Sequence, residues 1–393
     1  MTGTVDETFV SQLLKAEVFK SGASELVAPI QSRRLAGSRY CRPVRIPRVM
    51  IGLAAMMVAV ALHGSPAWGQ TNATGSRDPY SASVDLAPRL QWNANYGYCG
   101  ETSFISAGMY FGQYTSQWTA RDLASGGMKQ TAEESQLLLG VNDLAAADRM
   151  RLEAVAFDSE SQESVAEYLT WIKSMIMREK PVIIGVLMRL DEADSTYPGS
   201  WEYDHIVPVL AVASKARMRP GERRYRPTDA LIISDNSGLT SESLYRLPFA
   251  SSQRSRSAAN ASEAPAYSLR NRPMNYATTV LGVRDADGVT IPVRLTGSLD
   301  GEGVQDETWL TAQPAGRPLE LTATVSIPDP GQEYRVYLYD DFDKVPIRGF
   351  NAAADQAIAS WTIPAGSGPT WSTTISTSSD RTSVFRAVPV TAP

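Results

Sequence analysis

A chain of 393 residues with 43% hydrophobic and 20% charged side chains has room for two domains and the balance of a soluble globular protein, which excludes global disorder. Its formal net charge is −5; residues 1–69 hold eight Lys/Arg against four Asp/Glu, so the remainder carries −9, which argues against nucleic acid as a partner.

Six arginines and no acid occupy residues 33–48, and a 14-residue apolar run, Val49 to Leu62, follows them. That run is shorter than the roughly 20 residues of a membrane-spanning helix. Basic stretch, short apolar core and the small residues of Ala67-Trp68-Gly69 together predict a secretory signal over 1–69, cleaved before Gln70. The expected product is secreted, extracellular or periplasmic, with no stable membrane span after cleavage. An uncleaved N-terminal anchor is the alternative, and Met50 is an alternative start.

Residues 70–85 read as a loose polar linker. Ser103–Tyr110 predicts a buried helix, and Ser164–Met177 an amphipathic one with Val165, Leu169, Ile172 and Ile176 on one face. Lys180-Pro181 stops it. The apolar runs Val182–Met188, Ile206–Val212, Leu231–Ile233 and Tyr276–Val283 predict buried strands. Pro220-Gly221 marks a basic hairpin connection over 215–228, and residues 250–274 read as a long mobile insertion. Beyond 286 the pattern changes to short alternating runs at Thr290–Leu295, Leu319–Ile327, Tyr334–Tyr339, Trp371–Ser376 and Ser383–Val388. These predict a small antiparallel β-sandwich over 286–393. The aromatics Trp361, Trp371, Tyr334 and Tyr337 fit its packing better than a ligand surface.

The chain has two cysteines and two histidines, and only Cys99 and His205 lie beyond the expected leader. A lone thiol in an oxidising compartment is a liability unless it is used. One Cys and one His cannot supply the four ligands of a structural zinc site, so no metal or cofactor is indicated. Cys99 stands just before the first predicted helix. Amide groups at a helix start favour an anion, the state a nucleophilic sulfur needs, and can also hold a developing oxyanion. His205 opens an apolar strand, with rigid backbone behind it. Ser234-Asp235-Asn236-Ser237 closes the next strand, where a carboxylate or amide can orient an imidazole. The same residues are good turn formers, so that role is open between Asp235 and Asn236.

Nucleophile at a helix start, His on a strand and an acid or amide on the following strand resemble the papain-like cysteine peptidase superfamily. Cys99-Gly100-Glu101-Thr102-Ser103, Asp204-His205-Ile206-Val207 and Ile233-Ser234-Asp235 are most similar to its bacteriocin leader peptidase-like group. The likeness spans roughly residues 88–284, about half the chain. It implies an α+β fold with a papain-like catalytic domain over 86–284, ahead of the sandwich. It implies Cys99, His205 and Asp235 as a catalytic triad, with Asn236 the alternative third member. The group has a Gln six residues before its Cys as oxyanion donor; that position is Asn93 here, with Gln91 and Asn95 nearby. The expected activity is hydrolysis of peptide or isopeptide bonds in a peptide or protein substrate through a Cys thioester. An acyl transferase (transpeptidase) on the same triad and a non-catalytic binding module are the alternatives. The oligomeric state is not legible.

Overall fold

The computed structural model describes residues 79–86, 89–158, 164–189, 203–219, 221–237, 244–261, 263–271, 275–297 and 309–390. The expected leader, with Cys41 and His63, lies outside them. All the described residues belong to one compact unit, Gly69–Pro393.

The first half mixes helix and strand: β1 (Tyr80–Ser83), α1 (Cys99–Tyr110), β2 (Gln113–Tyr114), α2 (Gln117–Ser125), α3 (Asp143–Arg149), β3 (Leu152–Ala156), α4 (Val165–Ile176), β4 (Val182–Met188), β5 (His205–Ser214), β6 (Ala230–Ser234), β7 (Leu244–Pro248), β8 (Gln253–Arg254), α5 (Arg256–Ala259), β9 (Tyr267–Arg270) and β10 (Ala277–Val283). The central sheet runs β3-β10-β4-β5-β6-β7, with β1 on β5 and β9 on β4. Its pairings are antiparallel except the two-residue β8–β9 contact. This is an α+β arrangement with antiparallel sheets.

β4 has neighbours on both edges, and Val182 to Leu187 are all buried. A continuous β-branched and aliphatic run is the pattern of a strand covered on both faces. α4 covers one face with Tyr168, Leu169, Ile172 and Ile176. Its start is N-capped: the Ser164 hydroxyl accepts from the Glu167 amide, a contact worth about 1 kcal/mol. Lys173 of α4 reaches the sheet through a fully buried ion pair with Asp229, 2.6 Å long. α1 is buried all round except at Cys99, so it threads the core and surfaces at its first residue.

Two sequence expectations are corrected. Part of the supposed loose linker is β1, whose Tyr80 to Ser83 pair with Ser214 to Ala211 of β5. The supposed mobile insertion contains α5 and β9, and β9 pairs with the C-terminal end of β4. Ser, Ala and Arg-rich composition hid them because both elements are short and rest on tertiary contacts.

The second half holds β11 (Val293–Gly297), β12 (Pro318–Ser326), β13 (Tyr334–Tyr339), β14 (Ala359–Ile363), β15 (Thr370–Ser378) and β16 (Ser383–Pro389). They form the sheets β11-β12-β15 and β14-β13-β16-β2. β12 alternates as its sequence predicts: Leu319, Leu321, Ala323 and Val325 point inward, and the outward Thr322 and Thr324 meet Thr374 and Ser372. Expected as a domain of its own, this region shares one apolar core with Phe104, Ile105, Ala107 and Met109 of α1. β2 extends its second sheet through Ser383–Tyr114 and Val384–Gln113. Arg294 of β11 lies 3.0 Å above the Tyr110 ring and donates to the Tyr110 carbonyl at 2.9 Å.

Candidate active site

Gly100, the second residue of α1, packs against Leu137. A Cβ at residue 100 would overlap the Leu137 carbonyl, so the Cys-Gly sequence has a packing cause. Beside it, Glu101 accepts from Arg121 at 2.6 Å and from the Leu137 amide at 3.1 Å. The N-cap residue, Tyr98, makes no side-chain capping hydrogen bond. The first amides of a helix have no partner within it and can serve an acceptor from outside.

His205 opens β5 opposite Val186 of β4 and is buried. Its Nε2 lies 3.3 Å from Asp235 Oδ1, just past the end of β6. That leaves Nδ1 for the hydrogen bond to Cys99. Burial alone would lower the imidazole. The hydrogen bonds to Asp235 and Cys99, and the electrostatic attraction of those two groups, outweigh it and raise His205 to about 10. For Asp235 burial works toward a raised value, but His205 and Ser237 hold its carboxyl below the ordinary carboxylate range. The trio therefore favours an imidazolium between a sulfur and a carboxylate.

Asp235 is fixed from several sides. Ser237 donates its amide to Oδ1 and its hydroxyl to Oδ2, both at 2.8 Å. Tyr267 of β9 hydrogen-bonds the same carboxylate and lies nearly parallel to the imidazole, ring centroids 5.9 Å apart. Tyr245 meets Tyr267 edge-on at 4.5 Å. Tyr267 was not legible in sequence, since β9 hides in the supposed insertion.

Asn236 does not touch the imidazole. Its Nδ2 donates to the Cys99 carbonyl (3.1 Å), Ser103 Oγ (3.0 Å) and the Ile206 carbonyl (3.1 Å), tying α1 to β5. Asp204 is also turned away: it accepts from the Met188 amide at 2.8 Å and pairs with Arg256.

Asn93 is exposed, with no hydrogen bond to the trio. Gln91, two residues earlier, binds the chain just before α1: its Oε1 accepts from the amide of Tyr98, the residue before Cys99, at 3.0 Å. Its main-chain amide donates to the Asn236 carbonyl at 2.8 Å, linking the first and third motifs. The expected spacing misses Gln91 because the 92–98 loop coils through positive φ at Asn95, Tyr96 and Gly97 and absorbs two further residues. Asn95 is buried in that loop, bound to Tyr98 and Leu310.

Among the described residues no helix is long and apolar enough to cross a membrane. No family model, curated protein or solved structure matches the chain.

Proposed function

We propose that this protein is an exported cysteine hydrolase with a papain-like domain over 86–284 and a β-sandwich over 286–393, cleaving peptide or isopeptide bonds. The observation that carries the reading is the placement of the His205 imidazole between Cys99 and Asp235, with Nε2 3.3 Å from Asp235 Oδ1. In this reading the Cys99 sulfur attacks the substrate carbonyl carbon. The carbonyl oxygen becomes an oxyanion held by the helix-start amides and the Gln91 side-chain amide. The imidazolium passes its proton to the departing amine as the C–N bond breaks, leaving a thioester on Cys99. Water then adds to the thioester with His205 as base, releasing the acid and the thiol. Asp235 keeps the ring oriented and its charged form favoured throughout.

Alkylation tests it, since Cys99 is the one cysteine of the expected mature chain. Iodoacetamide at pH 6 should modify Cys99 well above the rate of free cysteine, and His205→Ala should abolish that advantage. Peptides cleaved by the wild type should survive Cys99→Ala. A Cys99 no more reactive than free cysteine at pH 6, or equal cleavage by Cys99→Ala, would overturn the reading.

A further inference from the structure

Three successive residues before the nucleophile take left-handed backbone: φ is 46° at Asn95, 68° at Tyr96 and 89° at Gly97. Glycine adopts this freely and asparagine tolerates it, but a tyrosine there is strained. Such strain persists only where the surroundings over-determine it, and it concentrates at ligand contacts. Here the surroundings grip the neighbours of Tyr96. Buried Asn95 donates to the Leu310 carbonyl at 3.1 Å and accepts from the Leu310 amide at 2.9 Å. Buried Arg121 donates to the carbonyls of Asn95 and Gly97 and stacks 3.7 Å over the Tyr98 ring.

The Tyr96 ring takes no part in this locking. It is 46% exposed and meets Trp309, 48% exposed, edge to face with centroids 5.0 Å apart at an interplanar angle of 74°. The turn would be easier to build with glycine or asparagine at 96. It instead presents a strained aromatic three residues from Cys99, paired with an aromatic from the β-rich half. The two rings form a corner in which a third ring can stack on one and meet the edge of the other.

We propose that Tyr96 and Trp309 form a subsite for an aromatic or large aliphatic side chain of a peptide substrate, on the acyl side of the bond Cys99 attacks. The inference rests on the hydrolase reading. It gives the C-terminal half a part in substrate recognition, through Trp309 and the Leu310 clamp.

The test uses the full chain and tripeptidyl chloromethyl ketones that differ only by Phe or Ala, with Phe placed at each position in turn. Wild type should react with one Phe probe faster than with the all-Ala probe by up to about tenfold, the scale of a good aromatic contact. In Tyr96→Gly and in Trp309→Ala that ratio should fall toward one while the iodoacetamide rate holds. Tyr96→Gly should also raise the thermal midpoint, since it relieves strain; a merely structural tyrosine would lower it. A wild-type ratio of one at every position, or a ratio unchanged in both variants, with iodoacetamide still labelling Cys99 rapidly, overturns the subsite and leaves the hydrolase reading intact. If iodoacetamide shows no enhanced labelling, the hydrolase reading falls and takes the subsite with it.

Discussion

Asp235 and Asn236 are adjacent in sequence and serve opposite sides of the strand end: one faces His205 Nε2 at 3.3 Å, the other the Cys99 carbonyl at 3.1 Å. Side chains alternate along extended chain, so consecutive residues cannot both face the imidazole.

The two positions should therefore fail differently. Asp235→Ala should slow hydrolysis on the order of a hundredfold or more while the protein stays folded, on the scale of losing an orienting triad acid. Asn236→Ala removes three hydrogen bonds between α1, Ser103 and β5, at a cost of about 1–3 kcal/mol. It should lower the denaturation midpoint and leave the pH profile of the folded fraction unchanged. Rates and urea curves measured together separate them; a crippled but fully stable Asn236→Ala would reverse the assignment.

The His205 environment also predicts how stability varies with pH. The imidazole is raised to about 10 in the fold, against 6.5 in an unfolded chain. A raised group contributes fully below its unfolded value and loses that contribution as pH climbs through the folded one. The stability difference between wild type and His205→Gln should thus be largest near pH 6 and shrink toward pH 10, with a slope of at most about 1.4 kcal/mol per pH unit for one proton. Asp235 works the other way: its lowered carboxyl contributes above its ordinary range and stops doing so as the solution becomes strongly acid. Denaturation curves of both proteins from pH 5 to 10 check the sign; a difference that grows with pH would contradict the imidazolium.

The mixed helix-and-sheet class and the candidate site residues were legible in the sequence, and parts of the architecture were not, for physical reasons. Val182–Met188 and Tyr334–Tyr339 emerge as strands β4 and β13 with the boundaries the sequence predicts, because continuous or alternating apolar runs encode burial directly. Cys99, His205 and Asp235 stood out as rare or strand-terminal residues, and they come together. β1, β9 and the helices α2 and α3 escaped. Their residues are polar or small, and partners distant in sequence hold them, as Ser214 holds Tyr80 and Met188 holds Tyr267. Tyr267 was lost with its strand. Gln91 was missed through a spacing that left-handed residues stretch, and no reading of side-chain pattern reveals φ at a tyrosine.

The shared core makes a further claim about the two halves. Phe104, Ile105 and Met109 of α1 pack in the same cluster as Leu321, Val336 and Phe385. A chain ending at Arg284 would expose that face of α1 and strip β2 of β16, its strand partner. It should lack a cooperative thermal transition and bind hydrophobic dyes. Cooperative unfolding of residues 70–284 alone, with Cys99 still reactive, would show the catalytic part to be autonomous.

Gln91 and Asn93 offer the sharpest separation of binding a thiol reagent from turning over a carbonyl. Gln91 Oε1 accepts from the Tyr98 amide, which fixes the side chain against the start of α1; in the proposed mechanism its Nε2 hydrogens serve the substrate oxygen. Asn93 is exposed and makes no such contact. Alkylation by iodoacetamide is a displacement at carbon that develops no oxyanion, whereas peptide hydrolysis does, and losing one oxyanion donor costs about a hundred- to a thousandfold in kcat. Gln91→Ala should therefore hydrolyse peptides at that reduced rate while Cys99 still alkylates within a few fold of wild type at pH 6. Asn93→Ala should match wild type in both assays. Gln91→Glu keeps the acceptor geometry only in part and sets a carboxylate against a developing negative charge, so it should be at least as slow as Gln91→Ala. Equal losses in alkylation and hydrolysis for Gln91→Ala would mean that the residue merely props up the 92–98 loop. A normal Gln91→Ala with a defective Asn93→Ala would place the donor at the position that family spacing, rather than the fold, indicates.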